Sequence, residues 1–298
     1  MSTGMSCKNQ KLALGTVQWG TDYGISNKGG KTPAREVGRI LAVAADAGIG
    51  LLDTAAHYGA AEAALGSNSL TAFKVVTKTP HFASASIEPE HELALLRTFD
   101  ASLANLQLDA VYGLLVHHAP DLLVPGAEIL VQTLQRLKAE GHVAKVGVSV
   151  YNSDQIGSLL ERFTPDLIQL PLNALDQRLL KSGDIGKLKD LGVEIHVRSV
   201  FLQGLLLMPL DALPPKFAAH KAVLAQWHEE VRRQGLTPKQ AALAFVRDID
   251  EVDHLLIGVE TVGQLQECLT DYASKGSFDA TRLNCNDENL LNPALWAN

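Results

Sequence analysis

Cysteine is scarce in this sequence, and its three residues, Cys7, Cys268 and Cys285, are far apart. They form no C-x-x-C motif, so we expect free thiols rather than a disulfide framework, and no metal site. No uninterrupted apolar stretch of about 18 residues is present that could span a membrane. Residues 1–10 are polar and lack the apolar centre of a signal peptide. The sequence therefore predicts a cytoplasmic protein with no membrane partner.

Positive charge is also limited. The chain has 26 Lys and Arg against 33 Asp and Glu, a formal net charge of −7, and its basic residues are dispersed. No basic stripe is available to neutralise phosphates, which argues against nucleic acid as a partner. The remaining composition, 46% hydrophobic and 20% charged, is that of an ordinary soluble protein. A length of 298 residues fits either two domains or one large α/β barrel.

Short apolar segments alternate with helical patterns along the whole chain. The predicted strands are residues 12–16, 50–53, 74–78, 111–117, 144–149, 166–170, 193–199 and 255–258. The predicted helices are residues 33–47, 60–65, 90–106, 128–139, 153–163, 179–191, 216–234, 238–246 and 262–269. Eight such units favour a single-domain (β/α)₈ TIM barrel over residues 1–298, a fold of about 250 residues.

The rival architecture is an open, doubly wound sheet. Such a sheet normally carries G-x-G-x-x-G between its first strand and first helix. The corresponding segment here, Gly15-Thr16-Val17-Gln18-Trp19-Gly20, has the wrong glycine spacing. The barrel is therefore preferred.

Four reactive side chains follow or end neighbouring predicted strands: Asp53, Tyr58, Lys78 and His117. Each has a structural explanation of its own, as a helix cap, a packed ring, a solvated lysine or a core histidine. Together they allow carbonyl reduction. Lys78 would stabilise the Tyr58 phenolate, Asp53 would hold Lys78 charged, and His117 would donate a hydrogen bond to the substrate oxygen.

The segments that carry these residues, LLDTAAHYG, VVTKTP and LDAVYGLLVHH, resemble the catalytic tetrad regions of the aldo-keto reductases. The similarity extends over nearly the whole chain. Supporting matches occur at Leu14-Gly15-Thr16, Glu62, Gly66, Gly147-Val148-Ser149, Gln169 and Asn173. The resemblance implies a TIM barrel that binds NADP or NAD without a Rossmann domain. It also implies that Tyr58 protonates the carbonyl of a small aldehyde, ketone or sugar as hydride arrives.

The resemblance further implies a set of cofactor contacts: Thr16, Ser149, Gln169, Arg198, Ser199, Gly258, Gln264 and Glu267. Several positions depart from the family pattern. Arg198 stands where the family usually stacks an aromatic ring under the nicotinamide, and Val150 replaces an asparagine that contacts the carboxamide. Gly258 and Gln264 stand where NADP-preferring members have lysine and arginine. We therefore expect both cofactors to bind, with a weak preference.

His117 is preferred to His118 because consecutive strand residues point to opposite sides, and His117 stands eight residues after Asp109 as in the family. His118, Trp19 and Tyr151 are substrate-pocket candidates. A non-catalytic dinucleotide-binding regulatory subunit remains an alternative, since fold alone does not settle function. A phosphate-sugar barrel enzyme of another class would require a phosphate site after strands seven and eight. A monomer or weak homo-oligomer is expected.

Overall fold

The computed structural model describes residues 11–296, and in this range eight parallel strands close into one barrel. The strands are β1 (Leu12–Gly15), β2 (Leu51–Asp53), β3 (Lys74–Lys78), β4 (Val111–Val116), β5 (Val143–Ser149), β6 (Leu167–Pro171), β7 (Glu194–Arg198) and β8 (His254–Gly258). Each strand pairs with its sequence neighbour, and β8 closes the sheet against β1. The predicted TIM barrel is confirmed.

Helices surround the strands. Within the described residues they are α1 (Val17–Gly20), α2 (Ala34–Asp46), α3 (Ala61–Gly66), α4 (Pro89–Leu106), α5 (Glu128–Ala139), α6 (Ser153–Leu160), α7 (Arg178–Lys181), α8 (Asp184–Asp190), α9 (Lys221–Arg233), α10 (Pro238–Arg247), α11 (Val262–Tyr272) and α12 (Glu288–Leu291). Short 3₁₀ segments lie at Ala119–Leu122, Leu205–Leu207, Pro215–His220 and Pro293–Leu295. In this part of the chain no helix is both long and apolar enough to cross a membrane.

Two predicted helices are wrong in detail. The predicted helix 179–191 is divided into α7 and α8, because Gly183 between them has a left-handed backbone with φ of 82°. The predicted helix 216–234 begins as the 3₁₀ segment Pro215–His220 and becomes α-helical only at Lys221. The short helices α1 and α12 are not predicted, since each is a single turn with too few residues to show a period.

The strands are apolar on both faces because each packs in two directions. Their outward side chains meet the helices in the main core. Their inward side chains fill the barrel as a second cluster, formed by Ala13, Leu51, Val76, Leu115, Leu167 and Leu256. Cys268 and Cys285 are free and buried, whereas Cys7 lies outside the described residues. The filled barrel leaves its polar residues at the two ends of the strands.

The loop that carries Tyr58 packs directly against α1. A Cβ atom added at Gly20 would lie 1.6 Å from the Tyr58 carbonyl oxygen, so only glycine allows this approach. Gly59 has φ of 56°, and its own Cβ would lie 2.6 Å from the Gly20 oxygen. These backbone contacts fix the loop between β2 and α3 over the barrel mouth.

Candidate active site

A buried ion pair lies at the carboxyl ends of β2 and β3. Lys78 Nζ donates to Asp53 Oδ1 at 2.6 Å and to the Thr54 carbonyl oxygen at 2.8 Å. The second oxygen of Asp53 accepts from Gln169 Nε2 at 2.7 Å. Burial lowers the pKa of Lys78, and Asp53 opposes that shift. Asp53 therefore holds the lysine in place and favours its charged form.

Tyr58 and His117 stand beside this pair. Lys78 Nζ is 5.0 Å from the centroid of the Tyr58 ring. The Tyr58 and His117 rings meet edge to face, with centroids 5.9 Å apart. The structure thus brings together the four residues that the sequence singled out, which we call the tetrad: Asp53, Tyr58, Lys78 and His117.

The charge environment of Tyr58 differs from the sequence-based expectation. Burial raises the pKa of the Tyr58 phenol well above its usual value, and the Asp53 carboxylate raises it further. The cation that opposes this rise is Arg198. Lys78 is paired with Asp53 and is not among the main groups that shift the pKa of Tyr58, so its stabilisation of the Tyr58 phenolate stays a prediction. Tyr58 is therefore protonated at neutral pH.

His117 is neutral at neutral pH. Burial and the nearby Lys78 charge lower its pKa to about 2. A neutral imidazole can donate one hydrogen bond while carrying no net charge. His118 has a different environment, since its Nδ1 lies 2.9 Å from Asp121 Oδ1 in the turn that follows β4. His117 faces the cleft described next, and His118 does not.

A cleft of about 750 Å³ extends from the tetrad to α11. Twelve of the predicted site residues line it: Thr16, Asp53, Tyr58, His117, Ser149, Tyr151, Gln169, Arg198, Ser199, Gly258, Gln264 and Glu267. Lys78 is buried beside Asp53. Trp19, predicted to be in the substrate pocket, does not line the cleft. Its indole is 1% exposed and donates to the Val259 carbonyl oxygen at 2.9 Å, so it packs inside the protein.

The backbone after β7 is strained at the cleft. Ser199, Leu202 and Gln203 have φ values of 62°, 49° and 53°, which non-glycine residues rarely adopt. Asn173 Nδ2 donates to the Ser199 carbonyl oxygen at 3.1 Å and helps to hold this turn. Strained residues of this kind cluster at functional sites. The turn immediately follows Arg198.

Arg198 is stacked on an aromatic ring. Its guanidinium carbon lies 4.1 Å from the centroid of the Tyr151 ring, and its Nη2 donates to the Val150 carbonyl oxygen at 3.0 Å. Tyr151 follows β5, whereas Arg198 ends β7, so the pairing depends on the closed barrel. The sequence identified Tyr151 and Arg198 as site candidates, but it did not predict the contact between them.

The lining chemistry fits a nicotinamide dinucleotide. Within residues 11–296 the Ser149 hydroxyl has no protein partner, and Gln169 uses its Nε2 on Asp53 while its Oε1 stays available. A hydroxyl and an amide oxygen suit the carboxamide of a nicotinamide. At Gly258 an added Cβ would lie 2.2 Å from the Gln18 side chain, so glycine keeps this wall open. Gln18 Oε1 is itself buried without a partner among the described residues.

Sequence reasoning missed one cation at the other end of the cleft. Lys239, on α10, lines the cleft and forms an ion pair with Glu267 on α11. Lys239 is not one of the residues that follow β8, because it precedes that strand in the chain. Glu260 lies nearby, where its backbone N–H donates to Gln264 Oε1 at 2.7 Å. This end of the cleft therefore holds one lysine and two carboxylates.

The family comparison agrees with this site. The model of the aldo/keto reductase family matches residues 11–280, and the chain belongs to this family of NAD(P)-dependent oxidoreductases. A curated relative is the 6-dehydroglucose reductase of Novosphingobium aromaticivorans. It is 27% identical over 262 residues, which cover 79% of this chain and 79% of the relative.

Solved structures show the same fold. An aldo-keto reductase from Bacillus halodurans, in its holo form, aligns with a TM-score of 0.70 at 19% identity and covers 91% of this chain and 88% of its own. The glycerol dehydrogenase of Gluconobacter oxydans aligns with a TM-score of 0.65 at 21% identity, over 90% of this chain and 88% of its own. At these identities the likeness concerns the fold alone.

Proposed function

We propose that this protein reduces, or reversibly oxidises, a small aldehyde, ketone or sugar by hydride transfer with NADPH or NADH, with Tyr58 as general acid and base. The observation that carries the proposal is the position of Tyr58 and His117 at one end of a large cleft, beside the buried Lys78–Asp53 pair. The similarity to a 6-dehydroglucose reductase supports a sugar-like substrate.

The bound dinucleotide would supply the hydride, and the chain's own residues would control the proton. Within the described residues the Tyr58 hydroxyl makes no hydrogen bond to protein, so its proton is available to a carbonyl oxygen in the cleft. Neutral His117 would donate a hydrogen bond to the same oxygen as negative charge develops there. Lys78 would stabilise charge left on Tyr58 once its proton has gone. Ser149 and Gln169 would hold the carboxamide of the cofactor.

A panel of aldehydes, ketones and sugars, followed by nicotinamide absorbance with NADPH and with NADH, tests the proposal. We expect cofactor oxidation with at least one carbonyl class. Dinucleotide binding without turnover on any member would instead support the non-catalytic regulatory alternative. We propose further that the chain acts in the cytoplasm as one domain, a monomer or weak homo-oligomer, and sedimentation equilibrium would measure the latter.

A further inference from the structure

Arg198 lacks a carboxylate partner at the catalytic end of the cleft. Across residues 11–296 no Asp or Glu oxygen lies within ion-pair distance, 4.0 Å, of its guanidinium. Its polar contacts are the Val150 carbonyl oxygen at 3.0 Å and the Ser199 hydroxyl at 3.4 Å, both neutral. Arginine carries five N–H donors, so several remain unused. A half-buried arginine without an anion is unusual, since charges removed from water are normally paired.

The charge of Arg198 is not cancelled by the tetrad. Lys78 and Asp53 neutralise each other across 2.6 Å, which leaves Arg198 as the unbalanced charge among the cleft residues around Tyr58. Its field reaches the reacting groups, because it opposes the rise in the pKa of Tyr58 and contributes to the low pKa of His117. An anionic group placed against Arg198 would therefore lie within the same site as the proton donor.

The guanidinium is also held in place before any ligand arrives. One face stacks on Tyr151, one nitrogen is bound to Val150, and the strained turn that begins at Ser199 fixes the end of β7. Arginine binds carboxylate and phosphate through a planar pair of N–H groups, and a preordered side chain loses little entropy when it does so.

We propose that Arg198 is a substrate-binding residue that receives an anionic group of the carbonyl substrate, a carboxylate or a phosphate. The substrates would then be aldehydo acids, keto acids, sugar acids or sugar phosphates rather than neutral carbonyl compounds. This inference rests on the proposed function and narrows it. A role of Arg198 in stacking on the nicotinamide is the competing explanation, and it would alter cofactor binding instead.

The test compares carbonyl compounds that differ by one anionic group. Succinic semialdehyde is paired with butanal for the carboxylate, and glyceraldehyde 3-phosphate with glyceraldehyde for the phosphate. KM is measured with saturating NADPH for the full-length protein and for Arg198→Gln, Arg198→Lys and the control Arg97→Gln. Arg97 is exposed on the outer helix α4 and does not line the cleft. A second readout needs no turnover: calorimetric binding of succinic semialdehyde and of glyceraldehyde 3-phosphate to the protein saturated with NADP⁺.

We expect the parent protein to prefer the anionic member of at least one pair by roughly ten- to a hundredfold, the range of one charge-assisted contact. Arg198→Gln should remove that preference, because it raises KM for the anion about ten- to a hundredfold more than KM for the neutral partner. Arg198→Lys should keep part of the preference for the anionic member, and Arg97→Gln should keep the whole preference. The pair that shows the effect identifies carboxylate or phosphate as the group.

Two results would overturn the inference while leaving the proposed function intact. One is equal KM values within both pairs in the parent protein. The other is a loss in Arg198→Gln that falls on the dissociation constant of NADPH and not on the ratio within a pair. If no carbonyl compound is reduced, the proposed function fails. Calorimetry would then still decide the inference, since the absence of any Arg198-dependent binding of either anion refutes it.

Discussion

The two ends of the barrel contain the same kinds of side chain but are built differently. At the carboxyl ends of the strands lies the tetrad. At the amino ends lies a second group, which we call the base network: Tyr112, Lys145, Glu194, His196 and His254. In the base network Glu194 accepts hydrogen bonds from Tyr112 Oη at 2.6 Å, from His196 Nε2 at 2.7 Å and from Lys145. The phenol, the ammonium and one imidazole nitrogen of the base network are thus bound to one carboxylate, whereas Nδ1 of His196 and of His254 is buried without a partner in the described residues.

At the tetrad end, by contrast, the Tyr58 hydroxyl and most of the Arg198 donors face a cleft without a protein partner in the described chain. Perturbed pKa values do not separate the two ends. The pKa of Tyr112 is raised to about 12, mainly by burial, and that of His254 is lowered to about 4 by burial and by His196. What distinguishes a reactive end is therefore unused hydrogen-bonding capacity beside open volume.

The largest expected contrast is between two tyrosines. Tyr58→Phe removes the proposed proton donor and should cut turnover by at least roughly 10²-fold, while dinucleotide binding persists. Tyr112→Phe removes a hydrogen bond to the Glu194 carboxylate and should cost about 1.5–3 kcal/mol of stability, with turnover within a few-fold of the parent. Steady-state kinetics measures the turnover of both variants, and chemical denaturation measures their free energy of unfolding. Parent-like turnover in Tyr58→Phe would remove it from the mechanism.

A smaller effect distinguishes the two adjacent histidines at the tetrad end. His117 contacts the Tyr58 ring edge and lines the cleft, whereas His118 is bound to Asp121 in the following turn. We expect His117→Ala to reduce kcat more than His118→Ala, because only the first removes the proposed donor to the carbonyl oxygen. Kinetics of the two variants, run side by side, is the measurement. The opposite order would assign the substrate contact to His118.

The sequence predicted the barrel and the tetrad because both depend on local signals. Each strand is a short apolar run, and each tetrad residue lies at or just after the end of one. Trp19 was misplaced because a residue just beyond a strand end can face the cleft or the core, and only packing decides. Lys239 and the Tyr151–Arg198 stack were missed because they join elements that meet only when the barrel closes. The same holds for the base network, whose members come from four separate strands.

Cofactor choice depends on the far end of the cleft, and a moderate effect is expected there. Lys239 is the one cation that lines this end within the described residues, and it is already paired with Glu267. We expect NADPH and NADH to bind with a preference below roughly a hundredfold. Glu267→Gln should shift the preference toward NADPH by releasing Lys239, and Lys239→Gln should shift it toward NADH.

Dissociation constants for both cofactors, measured by calorimetry at one salt concentration, test this. Lys187→Gln is the matched control, since Lys187 lies on α8 and does not line the cleft. A parent preference for NADPH beyond about a thousandfold would show a stronger phosphate contact than Lys239 can supply while bound to Glu267.

The smallest expected effect is on stability, and it belongs to the base network. The pKa of His254 is about 4 in the folded protein and about 6.5 when unfolded. Between these values the unfolded chain binds the additional proton, so stability must fall as pH falls from 6.5 toward 4. The expected loss from His254 is about 1–2 kcal/mol at pH 5, or a few degrees in Tm.

His254→Gln, which cannot take up the proton, should lose less stability between pH 7 and pH 5 than the parent. His142→Gln, a change at an exposed histidine, should behave like the parent. Thermal unfolding of the three proteins across this range measures the slopes. Equal slopes in His254→Gln and the parent would mean that the base network does not resist protonation, and the low pKa of His254 would lose its structural basis.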